Sequence, residues 1–146
     1  MADIGILTKN YKVHLDNAIQ SGGSITFCSN IRWVKAADEF SNAKSIELYF
    51  VVDGGSGTVD YQGVLNDILL TPIQDTVAAD KLLANAPDED ASEGLNSGLV
   101  KTLYSVTNVR KLQTSFSQTE LLKLSDGKPV SKAYDRAYCV VQSRLQ

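Results

Sequence analysis

Three stretches set an aromatic ring beside a cation: Arg32-Trp33 with Lys35 two positions on, Tyr104 followed by Arg110-Lys111, and Tyr134-Asp135-Arg136-Ala137-Tyr138. An aromatic face next to a guanidinium or ammonium group suits an unpaired or flipped base, whose ring stacks while its phosphate meets the cation. The competing use of the same residues is structural, with the rings filling a core and the cations facing water. Trp33, the single tryptophan, shares a predicted helix face with Ala36, Ala37 and Phe40, a stripe that favours the core use for that ring.

Other chemistries find no support in the residue spacing. His14 is the only histidine, and neither Cys28 nor Cys139 is near it in sequence, so no Cys/His nucleophile pair or metal ligand set is legible. The run Asp53-Gly54-Gly55-Ser56-Gly57 lacks the Lys-Ser/Thr and the G-x-G-x-x-G spacing of phosphate loops and reads as a hairpin turn. Asp88-Glu89-Asp90 begins like a calcium loop, but Glu93 stands where glycine is required and Leu99 where the bidentate Glu should be. Acid pairs such as Asp38-Glu39 are common in an acidic chain and do not by themselves imply acid/base catalysis. The expectation is a non-catalytic protein with no cofactor and no metal.

The net charge of −3 argues against binding nucleic acid through its backbone alone, because that affinity comes from clustered Lys and Arg. The charge is uneven, however. Residues 1–100 carry 6 of the 14 basic and 14 of the 17 acidic side chains, and residues 101–146 carry the other 8 and 3, which permits a basic face. Both cysteines lie in apolar runs (ITFC and AYCVV) and read as buried thiols, and no run nears the roughly 18 apolar residues of a membrane span. A cytoplasmic protein with no membrane partner is expected.

The elements that must position these residues follow from periodicity. Leu7, Tyr11, Leu15 and Ile19 recur at intervals of four and predict a helix over 3–21, stopped by Gly22-Gly23. A strand at Ser24–Cys28 precedes a helix capped by Ser29 or Asn30 and ending near Lys44. The apolar run IELYFVV predicts a central strand covered on both faces, and TVDYQGVLNDILL predicts its partner, with Gly63 marking a bulge.

Thr71-Pro72-Ile73-Gln74 spells a helix start, giving a helix to about Ala86. Residues 85–98, with one leucine, predict an acidic flexible loop. A strand from Leu99 to Leu112 follows, then a short helix over 118–124 with Ser117 as cap and Phe116 and Leu121 as staple, and a last strand over Arg136–Ser143. The whole chain, 1–146, reads as one α+β domain. Its mixed or mainly antiparallel sheet is flanked by three to four helices, with closure into a small pseudo-barrel as a variant.

Taken together, ITFCSNIRW, IELYFVVDGGSGTVDYQGVLNDI, LVKTLYSVTNVRKL and DRAYCVVQS resemble the strand series of PUA-like domains, the group holding the EVE and ASCH families, across residues 24–143. The resemblance implies a small mixed pseudo-barrel that holds RNA or a modified base in an aromatic-lined pocket. It implies Ser29, Asn30 and Trp33, just after the first of these strands, and Tyr49 and Tyr61, on the central hairpin, as pocket residues. The acidic N-terminal portion and the long leading helix depart from that group.

Two functions compete. One is a nucleic-acid, nucleotide or modified-base binding module in which Trp33 stacks a base and Arg32, Lys35, Arg110, Lys111 or Arg136 lie near phosphates. The other is a protein-interaction or regulatory accessory protein whose acidic surface, with the 85–98 loop as its exposed feature, engages a basic partner or mimics nucleic acid. A small hydrolase or transferase has no residue constellation behind it.

Overall fold

The computed structural model describes residues 4–43, 45–55, 57–86, 91–134 and 136–144. Its strands are β1 (Ile4–Asn10), β2 (Ile25–Ser29), β3 (Ile46–Val52), β4 (Thr58–Leu70), β5 (Thr102–Ser117) and β6 (Tyr138–Gln142). Helices α1 (Lys12–Gln20), α2 (Val34–Asn42), α3 (Thr76–Leu83) and α4 (Ala91–Ser97) complete the α+β architecture, with a 3-10 turn at Gln118–Glu120. The strands form one open mixed sheet in the order β2-β5-β4-β3-β1-β6, in which only β1 and β3 run parallel.

The central strand behaves as its composition demands. In β3, Leu48 and Phe50 enter one core, against α1 and α2, while Tyr49 and Val51 enter a second core on the opposite face with Phe116, Leu121 and Val141. The glycine run after it is a hairpin turn, with Gly54 and Gly57 at φ +80° and +78°. Gly63 marks a register shift between β4 and β5, and a Cβ there would stand 2.7 Å from Val106 Cγ1 and 3.3 Å from the Thr107 carbonyl, so β5 packs too closely on this position for a side chain.

The expected leading helix over 3–21 is corrected to a strand followed by a helix. Strand β1 lies between β3 and β6, with Ile6 in one core and Leu7 in the core on the opposite face, so it is buried on both faces and its apolar run carries no two-residue alternation. The helix expected from Thr71 begins instead at Thr76, where Asp75 caps it by accepting from the Ala78 amide; Thr71-Pro72 is a cis peptide in the preceding loop.

The segment expected as a flexible loop over 85–98 contains α4, although residues 87–90 lie outside the described residues. Its anchors are small: Ala91 is buried, and Gly94 sits so close to Val100 that a Cβ would lie 2.6 Å from Val100 Cγ2. The helix expected over 118–124 shortens to the 3-10 turn, but Ser117 Oγ does accept from the Thr119 amide and both staple residues are buried.

Closure into a barrel does not occur, but the sheet curls. Trp33 stacks on Tyr104 of β5 at 4.3 Å and on Tyr138 of β6 at 4.8 Å between ring centroids. In a flat sheet those two strands would be roughly 19 Å apart, four interstrand spacings. One indole cannot bridge that span, so the sheet wraps toward α2. This curl brings β6 beside α2 and creates the site.

Candidate functional site

The segment between β2 and α2 is built around Trp33. Ser29 Oγ accepts from the Ile31 amide (3.2 Å) and from the Trp33 indole Nε1 (3.0 Å), so it organises the turn and leaves the start of α2 without a side-chain cap. Thr102 Oγ1 accepts from the Trp33 amide at 3.1 Å and donates to Ile31 carbonyl oxygen at 2.6 Å, tying the turn to β5. Behind the indole, Tyr104 is fully buried, and burial pushes its phenol well above the ordinary range, so it stays neutral. In front of it, Tyr138 is half-buried, and its hydroxyl accepts from the Lys35 amide at 3.2 Å.

A cleft of about 700 Å³ opens where this stack ends. Lys35, Asp38 and Glu39, at i, i+3 and i+4 of α2, form one wall. Lys123, Leu124 and Ser125 line the cleft as well, and the run Tyr134–Val140, in which Asp135 lies outside the described residues, supplies Tyr134, Arg136, Tyr138 and Cys139. Lys123 is held by Asp126 at 3.2 Å, whereas among the described residues Lys35, Arg136, Asp38 and Glu39 make no ion pair.

Two further features shape the cleft. Tyr134 donates from its hydroxyl to the Tyr138 carbonyl at 3.0 Å; burial and the neighbouring Cys139 push its pKa up to about 12. Burial likewise raises Cys139, which keeps it a neutral thiol rather than a nucleophilic thiolate. Gln118 is 2% exposed, and its amide nitrogen faces the carbonyls of Ser131 (2.8 Å), Lys132 (3.3 Å) and Tyr134 (3.5 Å), so one side chain shapes the loop that delivers Tyr134.

Of the residues singled out from the sequence, Trp33, Lys35 and Arg136 come together at this place. Ser29 supports Trp33 from behind, and Asn30 is exposed but lines no part of the cleft. Trp33 itself is 1% exposed and backs the cleft from beneath Tyr138, with both ring faces occupied by tyrosines.

Tyr49 and Tyr61 do not join a common pocket. Tyr49 is buried on the other face of the sheet, donating to Glu47 at 2.6 Å and accepting from the Arg144 amide, and burial pushes it up to about 12. Tyr61 is buried under α1, donating to Asp16 at 2.6 Å. Arg32 bonds the Thr71 carbonyl through Nε at 2.8 Å, and Arg110 and Lys111 are exposed on β5, paired with Gln62 and Tyr61 of β4; none of the three lines the cleft.

The two rings that line the cleft, Tyr134 and Tyr138, were both visible in the Tyr134–Tyr138 run, where each stands two positions from Arg136. Asp38, Glu39 and Lys123 carried no local signal, because nothing within α2 or the 121–128 turn indicates that they line one cleft.

No protein-family model matches the chain, and no curated protein matches it. Among solved structures, the chain is similar to the N-terminal domain of McrB from Staphylothermus marinus, at 10% identity and a TM-score of 0.39 over 80% of this chain and 77% of that one. It is also similar to the YTH domain of Zygosaccharomyces rouxii MRB1, solved in complex with N6-methyladenosine RNA, at 15% identity and a TM-score of 0.44 over 92% of this chain and 77% of that one. No helix among the described residues is long and apolar enough to cross a membrane.

Proposed function

We propose that this chain is a non-catalytic nucleic-acid binding module that receives one unpaired base in the cleft between α2 and β6. The observation that carries this reading is the three-ring stack Tyr104–Trp33–Tyr138, whose last ring lines the cleft. A ring backed by two others is rigid, so little rotamer freedom is lost when a base stacks on it. The cleft volume of about 700 Å³ lies within the range of small-molecule sites. Lys35 and Arg136, free of ion pairs among the described residues, are placed to meet a phosphate.

The acidic net charge fits this mode better than backbone tracking. With two or three cations at the cleft, the salt dependence of binding is expected to be shallow, about 0.7 per neutralised phosphate for a single strand.

Titration of Trp33 fluorescence with mononucleotides and short single-stranded RNA and DNA tests the reading, because the indole touches the ring on which the base would stack. Tyr138→Ala is expected to weaken binding by about 1 to 3 kcal/mol. A wild-type chain that binds none of these ligands overturns the proposal and leaves the protein-interaction reading.

A further inference from the structure

We propose that the base selected by this cleft is guanine. The inference rests on the base-binding reading above and concerns the wall contributed by α2. Asp38 and Glu39 line the same cleft as Tyr138, and among the described residues neither carboxylate has an ion-pair partner.

An ionised carboxylate only accepts hydrogen bonds, and its two oxygens match two adjacent N–H donors. Guanine presents such a pair, N1–H beside the N2 amino group. Adenine and cytosine each set one amino group beside a ring nitrogen lone pair, which a carboxylate repels. Uracil's N3–H lies between two carbonyl oxygens and is repelled on both sides. A carboxylate without an ion-pair partner at the edge of a stacked base therefore favours guanine and disfavours the other three.

The rest of the cleft agrees with this orientation. Arg136, from the run before β6, and Lys35, one turn before Asp38 and Glu39 on α2, supply positive charge in the same cleft for the phosphate of that nucleotide. Exposed Asp38 is open to solvent, while Glu39 is half-buried, so the single variants are expected to differ in effect.

The test is a fluorescence titration of the full chain with GMP, IMP, AMP, CMP and UMP. GMP is expected to bind at least about tenfold more tightly than AMP, CMP or UMP, with IMP, which lacks the 2-amino group, in between. In Asp38→Asn/Glu39→Gln, affinity for GMP should fall while affinity for AMP holds or rises, since removing negative charge helps any phosphate-bearing ligand. That crossing separates base recognition from general repulsion. Equal binding of all the nucleotides, abolished by Tyr138→Ala, would overturn guanine selection and leave the base-binding reading standing. No binding of any nucleotide or single strand would overturn both.

Discussion

Trp33 and Tyr138 stack at 4.8 Å with their planes 25° apart, which fastens the start of α2 to the last strand of the sheet. The Lys35 amide, donating to the Tyr138 hydroxyl across 103 positions of sequence, reinforces the same junction. The cleft therefore depends on a long-range contact of the core.

Trp33→Ala is expected to cost about 3 to 5 kcal/mol of stability, because it opens an indole-sized cavity between two tyrosines. Urea denaturation followed by circular dichroism measures this. A loss under about 1 kcal/mol would mean that the stack does not support the fold.

Gln118→Leu should cost about 1 kcal/mol, since it removes the amide that donates to the Ser131 and Lys132 carbonyls, while Ser131 keeps the Tyr134 amide. Hydrogen exchange should also accelerate at the Tyr134 amide, which donates to Ser131 within the braced loop. A destabilised protein with unchanged exchange there would show that the brace is not what shapes the loop.

Gly63→Ala adds a methyl 2.7 Å from Val106 Cγ1 and 3.3 Å from the Thr107 carbonyl, and a core already packed on both sides should yield only with a loss of about 1 to 3 kcal/mol. Thermal melts of the variant would show a lowered midpoint, and an unchanged midpoint would place the bulge elsewhere.

Alkaline pH should destabilise the fold. Tyr49 and Tyr134 are both raised from the usual value of 10 to about 12, chiefly by burial, and Tyr61 and Tyr104 are raised as well. Between about pH 10 and 12 the unfolded chain loses phenolic protons that the native chain keeps, so the unfolded state binds fewer protons and stability falls as pH rises. Below pH 10 this contribution is fully present. Denaturation series from pH 8 to 12 should show the decline, and Tyr49→Phe should make it shallower. A flat profile would mean that the buried phenols ionise at their ordinary value.

Much of the fold was legible because its signals are local. IELYFVV has no polar face after Glu47, so it had to be covered on both sides; Gly63 interrupts an apolar strand and marks a bulge; and Phe116, Ser117 and Leu121 carry their cap and staple within six residues. The failures were also local in origin. Leu7, Tyr11, Leu15 and Ile19 keep helical spacing by coincidence across a strand, a turn residue and a helix, and Thr71-Pro72 imitates a helix start one turn too early.

The candidate site divides in the same way. Residue types alone marked Trp33, Lys35 and Arg136 as an aromatic ring and cations suited to a nucleotide, and composition alone argued for local recognition over charge-driven coating. Which rings would be buried was decided by the sheet: Tyr49 and Tyr61 went to opposite cores because their strand positions fall on opposite faces of the pleat. That Asp38, Glu39, Lys123 and Tyr138 share one cleft follows only from the curl that brings β6 against α2, and the contacts that set this curl join residues too far apart in the chain for any periodicity to record.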